Sequence, residues 1–239
     1  MKKYRTVVVI VIFILLWYFL NGKNISTNGL FSNDKLAEYF SCNSSHGGYH
    51  YFITLAIGYT AIFLCYLMSY ISEINILKLI KYRRNKYIKL IFKELCVRTI
   101  TFTGIFCAIN VLANILLFKL EILISCKFII MEFIYLIDLI LYFMVMGSIC
   151  IFIWIITGFS SSSVWITVVV SSAILEIYIL SGWNILLFNT EILDGFCEGI
   201  VNITAIITVW VKNIIIFCIL RSISIENFIR RDFLARKEI

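Results

Sequence analysis

Between Asn75 and Arg98 the chain reads NILKLIKYRRNKYIKLIFKELCVR, with a long apolar run on either side. This alternation constrains the fold more than any other feature. Eight basic residues sit in the segment: Lys78, Lys81, Arg83, Arg84, Lys86, Lys89, Lys93 and Arg98. Only Glu94 opposes them. Leu77, Ile80, Ile88, Ile91 and Leu95 are threaded between, at spacings that a helix gathers on one face, broken by Arg84. A basic amphipathic element between two apolar runs belongs at the cytoplasmic surface of a membrane, and the rest of the chain can be oriented from it.

The flanking runs set the class. The chain has 239 residues, of which 62% are hydrophobic and 15% charged. A soluble domain of that size cannot bury so much apolar surface. The expected fold is therefore an all-α, polytopic membrane protein, a single transmembrane domain over 1–239. Proline is absent, so any kink has to come from Gly, Ser or a widened helical turn. The net charge of +7 is read as fixing topology and touching anionic lipid headgroups, not as binding nucleic acid.

Six spans are expected, at about 4–20, 50–71, 99–118, 128–157, 164–180 and 202–220, with both termini cytoplasmic. The first follows Lys2, Lys3 and Arg5 and lacks a small-x-small cleavage site, so it reads as a retained span. The polar segment 21–49 then lies outside, the basic segment 75–98 inside, and the acidic but semi-apolar segment 181–201 outside. Short interfacial or re-entrant helices suit that last segment. The tail 221–239 reads as a second cytoplasmic surface helix, and Phe159–Ser163 as a tight cytoplasmic turn. On this topology 16 of the 21 Lys and Arg residues lie inside, four lie outside, and Lys212 lies within a span. The fourth run, as one helix, is about 46 Å long against a hydrocarbon core of roughly 30 Å, so it must tilt, protrude or break.

Polar residues inside the spans are candidate functional positions. Asn110 and Asn114 stand four apart and share a helix face, so both want partners from another helix or a polar cavity. Asp138, Glu176 and Lys212 are costly in lipid and are expected to face the bundle interior. Asp138 and Lys212 both fall near mid-span and form the first pair to consider, whether as a static ion pair or as part of a polar path. Glu132 is placed closer to the headgroups.

Other chemistry is poorly signalled. Cys42 and Cys197 both fall outside and are free to pair, while the remaining cysteines read as small buried hydrophobes. No close cysteine pair occurs, and His46 and His50 read as loop residues, so neither a metal nor a cofactor is expected in this chain. HExxH, GxSxG and Walker A motifs are absent, so the chain is not expected to be an enzyme or to bind ATP by itself.

The run IKYRRNKYIKLIFKE, Ile80–Glu94, set between the second and third spans of a six-span chain, resembles the membrane subunit of an ABC-2-type transporter. The likeness is to the small kind associated with bacterial peptide-antibiotic or bacteriocin export or immunity. The acidic, semi-apolar segment before the last span is similar to that family's short outer helices. The long outer segment after the first span departs from it. The resemblance implies a multi-pass protein of the bacterial plasma membrane, moving a peptide or amphiphile with energy from a separate P-loop ATPase. A second permease chain, identical or related, would complete the path. Lys78, Lys81, Arg83, Arg84, Lys86 and Lys89 would then couple to the ATPase. The alternative is an accessory subunit, or a non-transporting immunity or sensor protein that binds a peptide toxin.

Overall fold

The structure, a computed structural model, describes residues 4–15, 54–71, 84–117, 124, 128–181 and 202–230. Among these, every regular element is a helix. Helix α1 is Tyr4–Leu15. A π-helical turn, Thr54–Tyr59, runs directly into α2, Thr60–Ile71. Then come α3, Arg84–Leu117, α4, Phe128–Thr157, α5, Ser160–Ser181, and α6, Ile203–Arg230. Among the described residues, four stretches are long and apolar enough to cross a membrane: Lys86–Leu112, Ile129–Thr157, Ser160–Tyr178 and Ile203–Arg230. Tyr4–Leu15 and Leu55–Ile71 are apolar but shorter. Lys78, Lys81, Arg83, the segment 21–49 with Cys42, His46 and His50, nearly all of 181–201 with Cys197, and the tail after Arg230 lie outside the described residues.

Two helices join what composition divides. The basic segment from Arg84 onward and the third apolar run form one helix of 34 residues. Nothing between Arg84 and Thr103 can stop it, since the stretch holds neither Gly nor Pro. The sixth run likewise continues through Arg221 to Arg230 as one helix of 28 residues. Charge marks where a chain leaves hydrocarbon, but it does not end a helix.

The corner between α4 and α5 is tighter than the expected turn over Phe159–Ser163. Only Gly158 and Phe159 fall outside the helices. Gly158 adopts a φ of 80°, the left-handed conformation that glycine takes without a Cβ penalty, and its N–H still reaches the Trp154 carbonyl at 2.8 Å. The serine run therefore becomes the first turn of α5. Ser163 donates its hydroxyl to the Ser160 carbonyl at 2.8 Å, and its N–H bonds the Phe159 carbonyl at 3.2 Å.

Helix α4 is the centre of the bundle and packs against α2, α3, α5 and α6. Of its membrane-crossing window 56% is buried, against 17% for α6. Lipid is as apolar as leucine, so burial alone does not drive such helices together; close packing and polar pairs have to do so. The packing is largely aromatic. Phe13 of α1 meets Phe102 of α3 edge-on at 4.8 Å, Phe63 of α2 meets Phe143 of α4 at 4.8 Å, and Phe102 meets Phe143 at 5.3 Å. Such edge and tilted contacts are favoured by the ring quadrupole. Gly147 of α4 allows a close approach, facing Leu95 and Leu67 with no side chain of its own.

Helices consecutive in the chain run antiparallel, and their contacts collect basic residues at one end. Arg5 of α1 donates to the Ser69 carbonyl of α2 at 2.7 Å. Arg5 and Arg98 both lie over the Tyr70 ring, at 5.4 Å and 3.7 Å. Arg98 also pairs with Glu94 at 3.0 Å. Arg221 of α6 sits over Phe92 of α3 at 6.0 Å, and Tyr87 stacks on Phe228 at 5.5 Å.

Candidate functional site

Two regions of the bundle carry chemistry: a basic helix face at one end and a set of polar contacts inside. The basic face belongs to the first turns of α3. Tyr87, Ile88, Ile91, Phe92 and Leu95 are buried, whereas Lys86, Lys89 and Lys93 are exposed. The helical period explains this division, because the buried set recurs every three or four residues. The apolar face lies partly on α6 through Tyr87–Phe228 and Phe92–Phe217. The lysines are left as a strip of cations. Arg84 begins this helix, but its side chain is outside the described set.

Inside the bundle, Thr60, Tyr142 and Ser171 link α2, α4 and α5. The Thr60 and Tyr142 hydroxyls are 2.8 Å apart, as are those of Tyr142 and Ser171. All three residues are buried. Proton directions follow from counting. Thr60 donates to the Leu55 carbonyl at 2.8 Å, which uses its one hydrogen. Tyr142 must then donate to Thr60, and Ser171 to Tyr142. The acceptor at Leu55 lies in the π-helical turn, where the widened backbone frees carbonyls that an α-helix would engage. Tyr142→Phe is expected to lose about 1 kcal/mol, because it removes one donor and strands the Ser171 hydroxyl. Detergent-induced unfolding of the purified protein measures it; a variant as stable as wild type would show that the chain of hydroxyls does not hold the helices.

The second contact joins α3 to α4. Asn110 donates its amide Nδ2 to Glu132 Oε1 at 2.5 Å, and Glu132 is only 7% exposed. Cys107, one turn before Asn110, is buried and feels the Glu132 carboxyl. The side chain of Asn114, on the same helix, is outside the described set.

The third interaction, between α4 and α6, is electrostatic. Asp138 is completely buried, and its charge acts on Lys212, which is half-buried on α6. Glu176 takes no part in this: it is exposed on α5. The structure therefore sets Asp138 within electrostatic reach of Lys212, partners Asn110 with Glu132, and leaves Glu176 at the bundle surface.

Two parts of this site escaped sequence reasoning. Glu132 stands only five residues into its apolar run, which suggested the headgroup region, yet α3 covers it. Thr60, Tyr142 and Ser171 come from three different spans, and no spacing along the chain connects them. Among the described residues no three His, Cys, Asp or Glu side chains gather as metal ligands.

The fold and these contacts define a bundle of helices built for a membrane, with ionisable groups in its interior. Compared with known protein families, curated proteins and solved structures, the chain matches none.

Proposed function

We propose that this chain is the permease subunit of an ATP-driven transporter of the bacterial plasma membrane, moving a peptide or amphiphilic substrate. It crosses the membrane six times with both termini in the cytoplasm, pairs with a second permease chain, and docks a separate P-loop ATPase on the basic face of α3. The observation that carries the reading is the continuity of α3. One unbroken helix holds exposed Lys86, Lys89 and Lys93 near its start and Asn110, bound to Glu132, roughly 36 Å further on at 1.5 Å per residue. A helix is stiff over that length, so a push at its basic end is felt at the buried contact. A strip of cations on a rigid element suits an acidic groove on a partner and favours rapid, oriented docking. The gathering of Arg5, Arg98 and Arg221 at the same end supports a cytoplasmic placement for it.

The test is purification of the tagged protein from its native membrane with identification of the chains that come with it. A stoichiometric soluble ATPase is expected with wild type. Changing Lys86, Lys89 and Lys93 together to Glu is expected to remove it and to abolish ATP-dependent movement of substrate, while leaving the fold intact, because all three side chains are exposed. If the charge-reversed protein works as wild type does, or if no ATPase accompanies the intact protein, the chain is instead an autonomous binding or immunity protein.

A further inference from the structure

Among the described residues, Glu132 is an interior carboxyl on which no cation is seen to act. Its Oε1 accepts from Asn110 at 2.5 Å. Its Oε2 is buried and has no hydrogen-bond partner. That oxygen has essentially no surface that a water molecule can touch, so neither a hydrated cation nor a substrate group fits beside it while α3 and α4 are packed. The smallest occupant, a proton, fits without moving anything.

The neighbouring groups point the same way. From α3, Asn110 and Cys107 approach Glu132, and neither is a cation. Along α4 the next titratable groups are Tyr135 and Asp138, and the charge of Asp138 acts on both Tyr135 and Lys212 of α6. Glu176 of α5 is exposed. Among the described residues of α2, α5 and α6, no charged side chain acts on Glu132. A carboxylate in a dry apolar site without a counter-charge is strongly disfavoured, and one amide donor does not replace its hydration.

We propose that Glu132 is a proton-binding site within the membrane, closed by α3 and opened when α3 and α4 part. One O–H bond forms on Oε2 while Oε1 keeps the Asn110 hydrogen bond. The proton is exchanged with water only when the helices separate, so movement of α3 and release of the proton are linked. This role stands on the buried pair and needs no ATPase, so it fails or survives separately from the transporter reading.

Infrared difference spectroscopy of the full chain in lipid bilayers, wild type against Glu132→Gln, tests it at neutral pH. Glutamine keeps the acceptor for Asn110 and the shape of the side chain. The expected result is a protonated-carboxyl carbonyl band present in wild type and absent from the variant. Loss of a carboxylate band instead would overturn the proposal. Should the variant not fold, wild type alone is prepared with its glutamate carboxyls labelled with carbon-13. An ordinary solvated carboxyl carries a proton in about one molecule in several hundred at neutral pH, so a protonated-carboxyl carbonyl band that shifts on labelling is expected only from a glutamate held protonated in the interior. Labelled carboxylate bands with no such carbonyl band would overturn the proposal.

Discussion

Lys212→Met is expected to destabilise the bundle by about 3 kcal/mol, and adding Asp138→Asn is expected to recover most of that loss. The first change removes the cation on which Asp138 acts and leaves a carboxyl with no exposure at all. Breaking a buried pair from one side costs about 3–5 kcal/mol, because the surviving charge keeps its desolvation cost without that partner. The lower end applies here, since Lys212 is only half-buried and its long stem lets the ammonium reach toward water. Replacing both groups by neutral ones of similar volume removes the charge and its desolvation together, which is often nearly neutral. A double-mutant cycle on detergent-induced unfolding of the purified protein reads the coupling directly. Strictly additive losses would mean that the two residues are independent, and the electrostatic link between α4 and α6 would have to be abandoned.

Gly147→Val is expected to cost about 2 kcal/mol, the range for overpacking a well-filled interior. A Cβ built at this position falls on the Leu95 Cδ1 methyl and comes within 3.2 Å of Leu67 Cδ2 and 3.4 Å of Phe63 Cε1. Leu95, Leu67 and Phe63 are all fully buried, so none of them can swing into solvent. Valine adds two methyl groups on a branched and stiff Cβ, which leaves the neighbours to do the moving. Leu95→Ala placed in the Gly147→Val chain opens the nearest obstruction and is expected to restore part of the loss, although Leu95→Ala alone creates a cavity and destabilises. The same unfolding assay decides. A neutral Gly147→Val, or a double variant that loses the sum of the two single changes, would show that α2, α3 and α4 do not meet as closely as described.

The class of this protein is written in local properties. Long apolar runs between charged segments specify helices that suit a membrane, because backbone groups in lipid have to be satisfied within each segment. The amphipathic start of α3 is equally local: the period of a helix alone collects Ile88, Ile91 and Leu95 on one side, and all three are buried while Lys86 and Lys89 remain outside. Asp138 and Lys212 stand out in the sequence because a charge in an apolar run is expensive wherever the run goes. Where helices end was harder to read. Charge at Arg98 and Arg221 suggested boundaries, but a charged side chain does not interrupt the backbone hydrogen bonds of a helix, and both helices continue through these positions. The burial of Glu132, its contact with Asn110, and the hydroxyl chain through Thr60, Tyr142 and Ser171 depend on how far each helix slides and turns against the next. Those offsets are set by the fit of side chains across four helices at once, at places such as Gly147, and a pattern repeated along one helix carries no record of the face that another presents to it.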